Sequence, residues 1–295
     1  MAIDVSRLTE GVLMPPVLSA EIIQKTQEAS AVMALAKKVP LTGDGTLQQV
    51  VTGDPEPEWV GEETDEIIVS RPTFGSKKWQ GYKMGVIVPF SKEFLRNKTA
   101  LYNVVLERLP GTIAKKFDAT AFGWAKRPGE YFDQFSASPV ASLMGDSYDQ
   151  LIAAKALITA ADGSLSGWIL SDAGNDTLIA LKDKNGMPIF GQNVLMSGEL
   201  SRILGAAVKT TKAAYHANAD EPDVIGYAGA WSDANYGIIE NMTMSLSTEA
   251  TIKDGDDEIH LWQRDMVAVR VTFEAGFRVK DTNEFVQLTN EVEEG

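Results

Sequence analysis

The sequence predicts a fold of the mixed α and β class, and three observations lead to this prediction. Apolar residues recur at every fourth position from Leu101 to Ala121, a spacing typical of the buried face of a long helix. More and less strongly apolar residues alternate from Lys83 to Phe90, as in a strand with one buried face. Short strand-like runs separated by turns then extend from Val224 to Leu288, among them residues 266–273 and 277–280.

The composition excludes several classes of protein. The chain has 295 residues, enough to bury a real core in one large domain or two smaller ones. No apolar run approaches the roughly 20 residues of a membrane helix, and no secretory signal is visible at the N-terminus. With no cysteine, the chain forms neither disulfides nor thiolate metal sites. We therefore expect no membrane partner.

The charge also restricts the possible partners. The net charge of −14 argues against a surface that grips nucleic acid through its phosphates, because such binding needs compensating Lys and Arg. It is compatible with a container that encloses DNA without holding it tightly, or simply with a soluble surface.

The first 90 residues predict an arm followed by a long two-stranded excursion. Residues 1–18 have no periodicity, and Ser19 is typical of the N-cap of a short helix that ends near Ala29. A strand is predicted over residues 46–53, and acidic residues crowd the segment 54–66. The return strand carries basic residues at Arg71, Lys77, Lys78 and Lys83. Because an isolated ribbon is only marginally stable in water, it must lie on something, unless it is an edge hairpin of a local sheet.

The middle of the chain predicts helices around a buried strand. The long helix covers residues 99–124, and the apolar stripe resumes in phase after Pro110-Gly111, which favours a kink over a stop. A second helix is predicted over residues 147–161. The run Gly167-Trp168-Ile169-Leu170 predicts a buried strand, followed by a helix over 176–182 with Asn175 or Asp176 as its N-cap.

No motif in the sequence indicates catalysis, and we predict neither enzymatic activity nor a bound cofactor or metal. Phosphate-binding and dinucleotide-binding glycine motifs are absent, as is the Gly-x-Ser-x-Gly elbow of hydrolases. His216 and His260 lie outside any zinc-binding spacing, and His260 is typical of a strand residue. The acidic runs 172–176 and 254–258 lack the ligand spacing of a calcium loop, so we interpret both as turns.

Several segments, in order, resemble the Hong Kong 97-type major capsid proteins of tailed bacteriophages. The Trp168 strand precedes a helix and the turn Asp183-Lys184-Asn185-Gly186-Met187-Pro188-Ile189-Phe190, which is similar to a recurrent signature of that family. Further similarity lies in the arm, the excursion, the long helix and the closing strands: 19–33, 59–62, 72–75, 86–93, 114–118, 263–270, 276–279 and 285–288.

This resemblance implies an α+β capsid fold with four parts. Residues 1–45 would form an N-terminal arm and residues 46–90 an extended loop. Residues 91–145 and 258–295 would form a peripheral domain built on a long spine helix, and residues 146–257 an axial domain.

The resemblance also implies self-assembly. Copies would form hexamers and pentamers that close into an icosahedral shell around double-stranded DNA, in a virion assembled in the host cytoplasm. With about 18 residues before the first helix, the resemblance implies either a separate scaffolding protein or a chain that is already shortened. A portal is a further expected partner. The extended loop would lie across a neighbouring copy, with aromatic anchors and charged pairs at the contact. The expected contact residues are Trp59, Glu62, Glu63, Arg71, Phe74, Lys77, Lys78 and Trp79.

Two further hypotheses compete with a phage head. An encapsulin nanocompartment would share the fold but enclose a cargo protein. A soluble acidic hydrolase or binding module would be a monomer or small oligomer that depends on His216, His260 or the acids 254–258. Lys–Asn crosslinking is not expected, because no asparagine lies in the segment 263–266.

Overall fold

A computed structural model of the chain shows the architecture. The structure describes residues 25–41, 45–53, 55, 57, 59, 69–92, 98–143, 148–182, 185–190, 200–218, 222–239, 243–255 and 257–290. The predicted arm 1–18 and the Ser19 cap lie outside these residues, whereas residues 25–29 are helical as expected.

Helices and strands mix along the described chain. The helices are α1 (Ala31–Leu35), α2 (Lys98–Phe122), α3 (Asp149–Ala160) and α4 (Asp172–Ile179). The strands of the first half are β1 (Lys37–Lys38), β2 (Thr46–Gly53), β3 (Thr73–Trp79), β4 (Tyr82–Ser91), β5 (Val140–Ser142) and β6 (Gly167–Leu170). Those of the second half are β7 (Arg202–Ile203), β8 (Ala206–Thr210), β9 (Val224–Gly229), β10 (Ala234–Ile238), β11 (Thr243–Ser247), β12 (Thr251–Asp254), β13 (Asp257–His260), β14 (Met266–Val279) and β15 (Phe285–Thr289).

The long strand β14 organises the first sheet. β4 pairs antiparallel with it along Met266–Ala275, and β11 pairs antiparallel with Ala268–Thr272, so these two strands lie on opposite edges of β14. β10 pairs with the C-terminal end of β14, and β1 adds a short parallel pairing to β10. The sequence predicted two strands in this stretch, 266–273 and 277–280. That prediction is wrong, because β14 continues through Gly276, whose backbone lies against the carbonyl of Gln80.

A second sheet has six strands in the order β5, β15, β9, β6, β8, β7. All four residues of β6 are buried, as the Trp168 run predicted, and Trp168 Nε1 donates to the carbonyl of Ile203 at 3.1 Å. Helices α3 and α4 cover this sheet through one apolar cluster, which includes Leu151, Ile158 and Leu178.

The predicted long helix is confirmed as α2, and Pro110 does not interrupt it. Leu109, Ile113, Phe117 and Ala121 are all buried, so the four-residue spacing marks the inner face. This face meets the first sheet in an aromatic cluster, where the Phe117 and Phe277 ring centroids are 6.0 Å apart. No helix among the described residues is long and apolar enough to span a lipid bilayer.

Helix α4 begins four residues earlier than the sequence predicted. Ser171, not Asn175 or Asp176, is its N-cap, and the Ser171 hydroxyl accepts from Gly174 N at 3.0 Å. Asn175 lies inside the helix, and its side chain accepts from Leu200 N at 3.4 Å. The predicted cap is wrong because Ser171 has an extended backbone and its hydroxyl reaches Gly174 N, so the helix already starts at Asp172.

Both large sheets cross the boundary expected at residues 257/258. β14 pairs with β10 and β11, and β15 pairs with β9, so strands on either side of that boundary share hydrogen bonds. The four-part division therefore stays a prediction, and its last boundary falls between strands of continuous sheets.

Candidate intersubunit surface

The predicted excursion contains an antiparallel ribbon. β2 pairs with β3 in a register that sets Thr46 opposite Trp79 and Val50 opposite Gly75, and it slips between Val51 and Gly53. Within the described chain this ribbon pairs with no further strand. Because a lone two-stranded ribbon is only marginally stable in water, its base must be held by the body of the subunit and its length by another surface.

The base of the ribbon is anchored by Trp79. The Trp79 side chain is 1% exposed, buried within its own subunit. A Cβ on Gly276 of β14 would lie 3.1 Å from Trp79 Nε1 and 2.6 Å from the carbonyl oxygen of Gln80. Gly276 therefore lets the ribbon base lie directly against β14.

Lys77 fastens the same base from one side. Its ammonium donates to the carbonyl oxygens of Val279 at 3.0 Å and Lys280 at 2.5 Å. Lys78 lies on the other face of the strand and is exposed, with its Nζ 5.0 Å from the centroid of the Tyr131 ring. Both lysines thus contact their own subunit, and only Lys78 keeps most of its surface in solvent.

Several large apolar side chains of the excursion lie open to solvent. Trp59 is 102% exposed and Val69 is 80% exposed, both in the segment between β2 and β3. Leu47, which pairs with Lys78 near the ribbon base, is 68% exposed. Arg71 is also exposed. Large apolar side chains in water mark a contact surface when several occur together, as on this segment.

These positions correct one part of the predicted contact set. Trp79 was expected to anchor a neighbouring copy, and this is wrong, because its burial is already complete within one chain. Trp59, Arg71 and Lys78 are exposed, so their intersubunit role stays a prediction, and Lys77 is already bound to its own chain. Glu62, Glu63 and the Phe74 side chain lie outside the described part. Sequence reasoning missed Leu47 and Val69. Leu47 is an apolar residue in a strand with no second sheet to cover it, and Val69 lies outside the strands.

An apolar groove lies between α2 and the first sheet. Its cavity is about 280 Å³, and Met84, Val86, Leu109, Ile113 and Phe273 contribute most of the apolar lining. A smaller cavity of about 150 Å³ shares Met84 and Lys116 with it. The groove provides apolar surface and lacks the convergent polar groups that orient a small substrate.

A buried carboxylate joins the arm segment to the long helix. Asp118 of α2 accepts from Ser30 Oγ at 2.5 Å and from Ala31 N at 3.0 Å, at the start of α1. Burial raises the pKa of Asp118 from 3.8 to about 6, although its hydrogen bonds from Ser30, Ala31 and Val32 partly offset that rise. This contact ties two segments 88 residues apart, and Asp118 faces away from solvent.

The residues proposed for catalysis do not assemble. The His216 ring stacks on Trp124 with centroids 4.0 Å apart, and its backbone pairs with Val224. His260 ends strand β13, as the sequence predicted, and contacts Thr251 on the neighbouring strand. Among the residues that the structure describes, no group of three acidic or histidine side chains is placed to hold a metal ion.

Relatives of the chain are proteins of phage heads. It is 26% identical to the probable major capsid protein gp17 of Mycobacterium phage D29 over 293 residues, covering 96% of this chain and 91% of that protein. It is 27% identical to the major capsid protein of Staphylococcus phage 80alpha over 291 residues, covering 95% of this chain and 85% of that one.

Solved structures show the same fold. A chain from Gordonia phage Cozz superposes with a TM-score of 0.73 at 20% identity, covering 90% of this chain and 87% of that chain. A chain from the capsid of a native GTA particle, computed with C5 symmetry, superposes with a TM-score of 0.64 at 14% identity, covering 90% of this chain and 91% of that chain. The α+β capsid fold expected from the resemblance is therefore confirmed. The model of the phage capsid family matches residues 10–290, and the chain belongs to that family.

Proposed function

We propose that this chain is the major capsid protein of a phage head, a structural virion protein whose copies form hexamers and pentamers of an icosahedral shell. Family membership over residues 10–290 and two relatives described as major capsid proteins support this function. The observation that carries it is the ribbon of β2 and β3, which is anchored at Trp79 and has an exposed Leu47. Trp59 and Val69, in the segment between the two strands, are also exposed.

The ribbon would act by lying across a neighbouring copy. Its exposed apolar side chains would supply most of the contact energy, because burial of aromatic anchors dominates protein interfaces. Charged side chains such as Arg71 and Lys78 would fix the register between two copies. Each exposed ion pair would contribute only about 0–1 kcal/mol to the binding energy. A closed shell repeats the same contact between many copies, so the energies of individually weak contacts sum to a stable assembly.

Three further partners of the shell are proposed: a scaffolding protein, a portal and double-stranded DNA. A separate scaffolding protein would guide assembly in the host cytoplasm, and a portal would occupy one vertex. Double-stranded DNA would fill the interior without sequence-specific binding, in keeping with the net charge of −14.

The competing hypotheses are less well supported. An encapsulin shell would share the fold, but the curated relatives described above are phage capsid proteins. A hydrolase would need its histidines or acids to converge, whereas His216 stacks on Trp124 and His260 contacts Thr251 on a hairpin.

Light scattering coupled to size exclusion, with negative-stain microscopy of the earliest fraction, tests the proposal. The expected result is icosahedral particles, or hexamers and pentamers that convert into them when a scaffolding protein is co-expressed. A monomer of 32.0 kDa under all these conditions would refute the capsid function. Particles that contain a protein cargo and form without a portal would instead favour the encapsulin hypothesis.

A further inference from the structure

Helix α3 carries a large apolar surface on the side that faces away from its own subunit. Leu151, Ala154 and Ile158 are buried against the second sheet. On the outer side Tyr148 is 37% exposed, Ile152 46% and Leu157 40%. These three side chains define the α3 face.

The residues between these side chains do not restore a polar surface. Ala153, Ala156 and Ala160 are exposed and share one side of the helix, at spacings of three and four residues. From Gln150 to Ala160 the only charged residue is Lys155. A helix that is apolar on nearly all sides is normally buried, because a solvated helix carries charged residues on its outer side. The α3 face therefore has the composition of a covered surface.

A second copy of this chain is the occupant that the fold and family favour. Capsid subunits repeat around an axis, as in the GTA capsid with C5 symmetry that superposes on this chain. A rotational ring joins two different patches of the same chain, one at each side of the subunit. The α3 face therefore needs a second apolar patch elsewhere on the molecule.

The turn after helix α4 provides such a patch. Met187 is 66% exposed and Ile189 is 36% exposed. A bridge between Lys182 and Pro188 closes the turn, and a Cβ on Gly186 would meet nothing within 4 Å, so the turn projects from the surface. Helix α3 contacts β5, β15 and β9, whereas α4 contacts β9 and β6, farther along the same sheet.

The chemistry of the two patches is complementary. Methionine is unbranched and adapts to an irregular surface, which suits a contact with the shallow alanine-lined side of α3.

We propose that the α3 face of one copy packs against the Met187–Ile189 turn of the next copy around a capsid ring. This inference rests on the proposed capsid function and identifies a second contact between copies, separate from the ribbon. It predicts that the two patches are accessible in the unassembled subunit and buried against each other in particles.

Disulfide trapping tests the contact, because the chain contains no cysteine. The variant carries Ala156→Cys together with Met187→Cys, and particles are oxidised, denatured and run on non-reducing gels. We expect a ladder that ends at covalent pentamers and hexamers, since each copy links to two neighbours. The control replaces Met187→Cys by Lys253→Cys, on an exposed hairpin strand, and should give no ladder.

The outcomes separate this inference from the capsid function. If the double variant forms normal particles whose thiols stay reactive and form no ladder, the inference is wrong and the capsid function stands. If the wild-type chain forms no particles under any condition, the capsid function itself fails.

A charge variant covers the case in which the cysteines disturb assembly. Ile152→Glu places a charge on the α3 face, and Lys115→Glu places one on an exposed site of α2. For Ile152→Glu we expect an unchanged melting temperature of the isolated subunit and at least a tenfold loss of particles. Normal particle yield from Ile152→Glu would overturn the inference, and a comparable loss from Lys115→Glu would show that the effect is not specific to α3.

Discussion

The Asp118 carboxylate near the C-terminal end of helix α2 accepts a 2.5 Å hydrogen bond from the hydroxyl of Ser30, 88 residues earlier in the chain. The same carboxylate accepts from Ala31 N, while the Ser30 hydroxyl accepts from Met33 N and caps α1. One buried acid therefore completes the N-terminus of a short helix from a distant part of the sequence.

This contact predicts a pH-dependent stability. Burial raises the pKa of Asp118 to about 6 in the folded chain, so the folded state holds this proton more tightly than the unfolded state. The contribution of Asp118 to stability is full below pH 3.8 and is lost as the pH rises through about 6. Between pH 4.5 and 7 the loss is about 2 kcal/mol, at about 1.4 kcal/mol per pKa unit.

Asp118→Asn should remove this dependence. Urea unfolding of the unassembled subunit at the two pH values measures the change, and the exposed Asp254→Asn serves as control. We expect the control to keep the loss of the wild-type chain. A variant Asp118→Asn that still loses stability to the same extent would show that another group titrates.

Alanine substitution of two tryptophans of the extended loop should affect the stability of the subunit to very different extents. Trp79→Ala removes a fully buried side chain from the ribbon base, so the free energy of unfolding should fall by about 3–5 kcal/mol. Trp59→Ala removes an exposed side chain and should change that free energy by no more than about 0.5 kcal/mol.

Particle formation then separates their roles. Trp59→Ala subunits should remain folded but give fewer particles, because the variant loses an apolar contact to a neighbour. Denaturant unfolding and particle counts by microscopy provide the two readouts. Normal particle yield from Trp59→Ala would exclude this side chain as an intersubunit anchor.

Substitutions of the neighbouring Lys77 and Lys78 should also differ in their effect on stability. Lys77→Met removes the donor to the carbonyls of Val279 and Lys280, and should destabilise the isolated subunit by about 1–2 kcal/mol. Lys78→Glu loses only an exposed contact with the Tyr131 ring, worth about 0.5–1 kcal/mol.

Assembly at increasing salt concentration tests the second lysine. If Lys78 meets an acidic side chain of the next copy, Lys78→Glu should abolish assembly or make it less sensitive to salt, since screening acts on exposed pairs. An unchanged salt profile would identify Lys78 as ordinary solvated surface.

Two helical glycines should give opposite effects when replaced by alanine. A Cβ on Gly111 of α2 would meet nothing within 4 Å, so Gly111→Ala should stabilise the subunit by about 0.5–1 kcal/mol. A Cβ on Gly174 of α4 would lie 2.6 Å from the carbonyl oxygen of Ile225, so Gly174→Ala should destabilise it by about 1–3 kcal/mol. Thermal melting of the two variants measures both signs, and a stabilising Gly174→Ala would contradict the close approach of α4 to β9.

Several elements could be predicted from local sequence patterns. The four-residue spacing of Leu109, Ile113 and Phe117 predicted helix α2 within two residues at either end, even though Pro110 lies inside it. The apolar run around Trp168 predicted strand β6, and residues 46–53 predicted β2 with its observed bounds. These predictions held because periodicity reports the local backbone and the face that is buried.

Long-range contacts decided what the local patterns could not. Only the fold shows the register of the ribbon. Only the fold shows, too, that Trp79 lies under β14 while Trp59 remains in solvent. Likewise, only the fold shows that Ser171 caps α4, and that Asn175 lies inside the helix and accepts from Leu200 N, 25 residues away.

The sequence by itself determined the class of the fold, its long helix, its buried strand and the family resemblance, because each is written in local spacing and ordered motifs. The tertiary structure decided which apolar residues are core and which are surface. Aromatic residues of the same type satisfy a core or a neighbouring copy equally well, and burial depends on which distant strand or subunit covers them. Trp79, Trp59 and the α3 face are all apolar, and they differ in whether a distant strand of the same subunit covers them.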